Sequence, residues 1–395
     1  MTRLSRSLWV LPLLLSLAAC PGGGPTKLGA VLPLTGGAAL YGTAIQRGVE
    51  LAYEQAQQDP KGPKVALTVL DSASDPEKAK RALDQLYDDG AIAVMGGVTS
   101  AEALAMIPAA DQQGAILLSP SASLPQLTGI SSNFYRIFPS DFAEGTVMAK
   151  YAYDTLRLKT AVILAKQETY AKGIQEVFAD ELKRKGGQIL EQVDFPANTS
   201  DFAALADRAA TLRPDCVYVA AYAEEISRLV QELRGHGYTG TILTTSSFAA
   251  ANNIATAGAA AEGVLFTQSA FDVEGNLPEH VKAFVAAYRA KYKTDPDLYA
   301  AHGYDAMKIL VEAVRDGNKS ASTFWKGLRN LREYPGVTGI IQFDEKGDVA
   351  KFPRVYIVAD GRAVDREQER QRQLDEARRK IQEIENQLRQ MKQGN

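Results

Sequence analysis

From Lys27 onward, short apolar runs alternate with amphipathic stretches. Leu28–Leu34, Val65–Leu70, Ile92–Met95 and Ile116–Leu118 are brief and largely apolar, as buried strands are, whereas Thr43–Gln57, Pro76–Tyr87 and Ala101–Gln112 place apolar residues three and four apart. This rhythm predicts a parallel sheet with helices on both faces. It restarts after Phe134–Pro139 with helix Phe142–Leu156, strand Ala161–Ala165, helix Ala171–Lys185, strand Ile189–Val193, helix Phe202–Thr211, strand Cys216–Ala220, helix Glu224–Gly235 and strand Thr241–Thr244. Helices near Pro278–Lys291 and Tyr299–Arg315 return the chain to the first unit, and strands Gly339–Phe343 and Arg354–Val358 finish the body. Roughly 335 residues exceed what one core usually organises, so two doubly wound α/β lobes are expected.

Both ends depart from the rhythm. Arg3 and Arg6 precede an apolar run, Leu8–Leu17, that ends in Leu17-Ala18-Ala19-Cys20. A charged start, an apolar stretch too short to span a bilayer and small residues before a cysteine read as an export signal over 1–19 with lipidation at Cys20. Each buried methylene of an acyl chain adds about 0.8 kcal/mol of membrane affinity, so several chains would anchor the protein. Pro21-Gly22-Gly23-Gly24-Pro25 lies within a flexible tether, 20–26. At the other end, 362–395 is rich in Arg, Glu and Gln, with Leu374, Ala377, Ile381, Ile384, Leu388 and Met391 spaced alternately by three and four. Two readings of this C-terminal helix stand: self-association through the seam, or docking on its own body.

Composition narrows the function. The chain has 44 basic and 47 acidic residues, and loss of the leader removes two of the arginines. A mildly acidic exported body is not built to bind nucleic acid. After Cys20 only Cys216 remains, in an apolar run, so no intramolecular disulfide forms and a buried thiol is expected. His236, His280 and His302 belong to no metal-spaced cluster and read as surface or helix-end residues. No GxSxG elbow, CxxC pair or Walker loop occurs. Neither an enzyme nor a cofactor is expected.

Small and hydroxylated residues gather where first-lobe strands end. Leu32-Pro33-Leu34-Thr35-Gly36-Gly37 leads to Tyr41, Met95-Gly96-Gly97-Val98-Thr99-Ser100 opens a helix, and Ser119-Pro120-Ser121-Ala122-Ser123 follows the next strand. Ligands of open α/β sheets bind outside the carboxyl ends of the strands. Amides at helix starts there suit an anion such as a carboxylate, with hydroxyls completing its hydrogen bonds.

Together with Tyr135-Arg136-Ile137-Phe138-Pro139-Ser140-Asp141 and Gly339-Ile340-Ile341-Gln342-Phe343-Asp344-Glu345-Lys346-Gly347-Asp348, these motifs resemble the branched-chain amino acid binding proteins, the type I periplasmic solute-binding proteins of ABC importers. The resemblance runs from about Lys27 to Gly361. It implies two lobes joined by a three-segment hinge, lobe one over 27–142 and 269–344 and lobe two over 143–268 and 345–361. It implies a carboxylate held at Ser100, the Ser121 and Ala122 backbone and Ser123, an aromatic wall at Tyr41, and closing tyrosines at Tyr170 and Tyr222; Thr99, beside Ser100, and Tyr299, as a further wall, are expected in the same site. Where amino-acid binders carry an acid for the ligand's ammonium, this chain has Ser246. A buried ammonium needs an anionic partner, so either another acid serves, with Glu168 and Glu225 as candidates, or the ligand lacks an ammonium. The function implied is capture of a small amino acid, amide or carboxylate for ABC permease subunits, by a protein in the periplasm or on the outer face of the cytoplasmic membrane. A sensor signalling to a membrane partner is the alternative.

Overall fold

A computed structural model describes residues 24–250, 252–315 and 317–393. The export signal and Cys20 lie outside the described residues, as does most of the tether. Strands β1 (Thr26–Leu32), β2 (Val65–Asp71), β3 (Ala93–Met95), β4 (Ile116–Ser119) and β5 (Phe134–Arg136) form one parallel sheet in the order β2-β1-β3-β4-β5. Helices α1 (Ala39–Gln58), α2 (Pro76–Asp88) and α3 (Ser100–Gln113) are the crossovers. Their apolar residues fill separate cores on the two faces of this sheet.

The chain then crosses to a second sheet through α4 (Asp141–Lys150), which continues into a π-helical turn, Tyr151–Thr155. Next come β6 (Thr160–Lys166), α5 (Thr169–Arg184), β7 (Gln188–Phe195), α6 (Ala203–Thr211), β8 (Cys216–Ala220), α7 (Ala223–Gly235), β9 (Thr241–Thr244), α8 (Asn253–Ala257) and β10 (Leu265–Gln268). α9 (Glu279–Tyr292), α10 (Leu298–Arg315) and α11 (Ala321–Asn330) return to the first lobe. α1 and α10 lie with their backbones in contact. A Cβ on Gly48 would sit 1.9 Å from the Ala300 carbonyl oxygen, and one on Gly303 would sit 2.3 Å from that of Ile45. This close approach, open only to glycine, brings Tyr41 of α1 against Tyr299 of α10.

Three expectations change here. The strand expected over Gly339–Phe343 is short, β12 (Gly339–Ile341), and pairs only with β11 (Tyr334–Gly336) in a separate ribbon, because the intervening turn folds it back on its neighbour. β13 (Arg354–Ala359) joins β10 antiparallel, and β14 (Arg362–Asp365) follows through a tight turn at Asp360 and Gly361, both of positive φ. The second sheet is therefore mixed at this edge, in the order β14-β13-β10-β9-β8-β6-β7, and the last helix begins after β14, as α12 (Arg366–Gln393). His302 is not a surface residue. It is fully buried in α10, its Nδ1 is 2.9 Å from the Leu298 carbonyl, and its ring lies against Phe138. Cys216 is buried as expected, and burial pushes its thiol up to about 12.

Candidate binding site

The carboxyl ends of both sheets face each other across a small cavity lined by Val98, Thr99, Ser100, Ser121, Ser123 and Phe138 from one side and Tyr170, Tyr222, Ser246 and Ser247 from the other, with Tyr41 and Tyr299 between. Two of the three first-lobe loops deliver hydroxyls to it. The third does not: Thr35 donates to Asp71, and this loop contributes through Tyr41, on the helix it opens.

The two serine-rich loops are tied to each other. Thr99 caps α3 in a reciprocal capping box, accepting from the Glu102 amide while its own amide donates to Glu102 Oε2, so its side chain is committed to the helix start. Ser119 Oγ donates to the Gly97 carbonyl and accepts from the Ala122 amide at 2.9 Å; Ser121 Oγ donates to the Val98 carbonyl at 2.7 Å. Ser100 Oγ accepts from the Leu124 amide, which leaves its proton for the cavity. Ser100 and Ser123 are thus the hydroxyl donors at hand. Ala122 is buried outside the lining, its amide already occupied. Behind this wall Arg136, fully buried, makes a two-point ion pair with Asp348 and donates to the Leu124 carbonyl, fixing where the Ser123 loop ends.

The second lobe contributes aromatic rings. Tyr170 and Tyr222 stack in parallel with centroids 5.8 Å apart, and Tyr222 reaches Tyr41 at 5.6 Å. Tyr41 meets Tyr299 edge-on at 4.7 Å, and Phe138 stacks on Tyr299 at 6.0 Å. Ser247 Oγ donates to the Tyr170 hydroxyl at 3.2 Å and lies against the phenols of Tyr41 and Tyr299. Burial pushes all four phenols well above their usual range, so they remain protonated donors. A further bond ties the lobes: the Tyr41 hydroxyl accepts from the Ala223 amide, at the start of α7, at 2.8 Å.

Of the acids anticipated, Glu225 is ion-paired with Lys166. Glu168 caps α5 and lies beside the Tyr222 hydroxyl, its carboxyl raised chiefly by burial. Neither lines the cavity. Sequence reasoning missed Val98, Phe138 and Ser247 in the lining, and it missed two fully buried acids just behind, Asp141 and Glu144. Their place at a helix start resembles ordinary capping, and only the tertiary structure shows them enclosed. Among the described residues no group of three potential ligands could hold a metal, and no helix is long and apolar enough to cross a membrane.

A family model described as periplasmic binding protein matches residues 25–359. The Leu/Ile/Val-binding protein homolog 3 of Brucella melitensis is 26% identical over 329 residues, 82% of this chain and 88% of its own length. A leucine-binding protein from Thermotoga maritima, solved by crystallography, is 30% identical with a TM-score of 0.80, covering 86% of this chain and 97% of that one. A branched-chain amino acid transporter substrate-binding protein from Streptococcus pneumoniae, crystallised with isoleucine, is 27% identical with a TM-score of 0.81 over the same shares.

Proposed function

The chain belongs to the type I periplasmic binding proteins of the branched-chain amino acid family, a family of binding proteins rather than enzymes, and on that basis we propose that it is the lipid-anchored, extracytoplasmic solute-binding subunit of an ABC importer. Its solute is a small carboxylate-bearing molecule, an amino acid or a close relative. The observation that carries this reading is the cavity itself. One lobe offers the Ser100 and Ser123 hydroxyls, the other offers Tyr170 and Tyr222, and Tyr222 meets Tyr41 across the gap. A ligand touching both sets gains its full binding energy only when the lobes are shut, so binding and closure are linked. The closed outer surface is what permease subunits would recognise, and the anchor at Cys20 would hold the binder at high effective concentration beside them.

Mass spectrometry of small molecules retained through purification, followed by calorimetry, identifies the solute. Ser123→Ala is expected to weaken a carboxylate ligand by roughly 1–3 kcal/mol, through an acceptor left unpaired in a buried site. Unchanged affinity in that variant would remove the first-lobe hydroxyls from the site.

A further inference from the structure

Ser246 lines the cavity, and both its polar groups turn away from it toward one carboxylate. Its amide donates to Glu144 Oε1 at 2.6 Å and its hydroxyl to Oε2 at 3.0 Å; Thr267 Oγ1 adds a donor to Oε1 at 2.9 Å. Glu144 is fully buried on α4, and these donors are neutral, so its charge is solvated by hydrogen bonds without a counter-ion. One helical turn earlier stands Asp141, equally buried, with no well-formed hydrogen bond on either oxygen; its closest polar side chain is the cavity-lining Ser123, whose oxygen can accept from a protonated Asp141 and leave the Ser123 proton for the cavity. Arg136, the nearby cation, is committed to Asp348. Burial, then the Glu144 charge, pushes the Asp141 carboxyl far up, while burial raises Glu144 to about 7, so above that pH Asp141 keeps its proton and the negative charge of the pair rests on Glu144.

A serine hydroxyl has one proton. Spent on Glu144, it leaves only oxygen lone pairs for the cavity, backed by a buried negative charge. That point of the wall accepts hydrogen bonds and favours a cation, whereas Ser100 and Ser123 opposite it donate. The other charges nearby do not supply this polarity: Lys166 and Glu225 neutralise each other, and Glu168 is turned to the Tyr170 amide and the Tyr222 hydroxyl.

We propose that Glu144, acting through the Ser246 hydroxyl, makes this cavity select a ligand that carries a protonated amine beside its carboxylate. This rests on the carboxylate-clamp reading above and narrows its ligand class to amino acids over their des-amino counterparts. Glu144 is a positioning residue: it touches no ligand and sets the direction in which Ser246 presents its hydroxyl. In Glu144→Gln the side-chain carbonyl still accepts from the Ser246 amide, while the new N–H group donates to Ser246 Oγ and turns the hydroxyl proton toward the cavity.

The test is calorimetry on the mature protein with matched pairs: alanine and propionate, leucine and 4-methylpentanoate, phenylalanine and 3-phenylpropionate. Wild type is expected to prefer the amino acid in the pair it binds. Glu144→Gln is expected to cut that affinity roughly tenfold to a hundredfold, the scale of a lost charge-assisted hydrogen bond, while the des-amino acid moves far less. Ser246→Ala, which deletes the acceptor and leaves Glu144 in place, is expected to show the same split, and it serves if the first variant does not fold. Equal losses for both members of a pair, or a wild type indifferent to the amine, overturn the assignment while leaving the carboxylate clamp standing. Failure to bind either member of any pair overturns both.

Discussion

At the scale of single residues, burying Asp141 and Glu144 three positions apart on one helix opposes folding whenever both must ionise. Burial raises Glu144 to about 7 and holds Asp141 well above its usual range, in surroundings that include Arg136, Glu168, Tyr170, Tyr218 and Tyr299. The folded state therefore binds more protons than the unfolded chain, and stability falls as pH rises from the usual carboxylate range, up to about 7 for Glu144 and further for Asp141, which loses its proton against the Glu144 charge. His302 acts in the opposite sense. Burial depresses it, so the unfolded chain binds its proton first and stability is lost only as pH falls below the usual histidine range. Lys351, lowered by burial to about 8, adds stability only as pH climbs beyond that value. Between pH 6.5 and 8 the acids are left to decide the slope. The melting temperature of the ligand-free protein is expected to fall across that window, and Glu144→Gln to flatten the fall; a wild-type profile already flat there would contradict the assignment. None of this was legible in the sequence, where Asp141 only ends the Tyr135–Asp141 motif and Glu144 falls unremarked within the helix expected from Phe142. The serines and tyrosines were legible through the resemblance, because their type and loop position carry the pattern, whereas Ser247 adds nothing to the pattern beyond its neighbour Ser246.

At the scale of elements, the alternating rhythm located most strands and helices of both sheets through the apolar residues that fill their cores, but it picked out neither β10 nor α8 and α11. It failed at β14, whose four residues, Arg-Ala-Val-Asp, hold too little apolar surface to register as a strand. Pairing with β13 supplies the hydrogen bonds that define it. The same edge decides how α12 stands. Its first turns are anchored: Glu369 is buried, and Arg372 pairs with it and with Glu376. Further along, Leu374, Ile381 and Ile384 are 40%, 57% and 56% exposed, so this stretch of the apolar seam does not rest on the body. Leu388 and Met391 have side chains outside the described residues. A helix of 28 residues is about 42 Å long, and one so polar gains little from its own backbone alone. We infer that the seam pairs with a second copy. Sedimentation velocity on protein lacking residues 1–20 is expected to show a concentration-dependent dimer that disappears on truncation after Arg372. A monomer in both forms at high concentration would end this reading.

At the scale of the whole molecule, the two sheets present their carboxyl ends to one cavity, and what joins them there is sparse. The Tyr41 hydroxyl accepts the Ala223 amide, and the rings of Tyr41 and Tyr222 touch. The covalent crossings, among them the segment running through Phe138 into α4, hold the lobes together but do not by themselves hold them shut. Closure thus depends on noncovalent contacts, Leu124 against Gly173 among them, which lets a bound solute tip the balance and lets a partner reverse it. Removing the hydroxyl in Tyr41→Phe keeps the ring against Tyr299 but strands an amide at the start of α7. The net loss of one neutral hydrogen bond, about 1 kcal/mol, falls on the closed state alone. Solute affinity is expected to drop roughly fivefold, mostly as faster dissociation, because the open lobe that first meets the solute is unaltered. Small-angle scattering of the ligand-free variant is expected to show a larger radius of gyration than wild type, converging on the wild-type value at saturating solute. If the variant instead loses association rate with unchanged dissociation, Tyr41 serves the encounter rather than the latch, and closure must be held by other contacts across the gap, such as Ser247 beside the Tyr299 phenol.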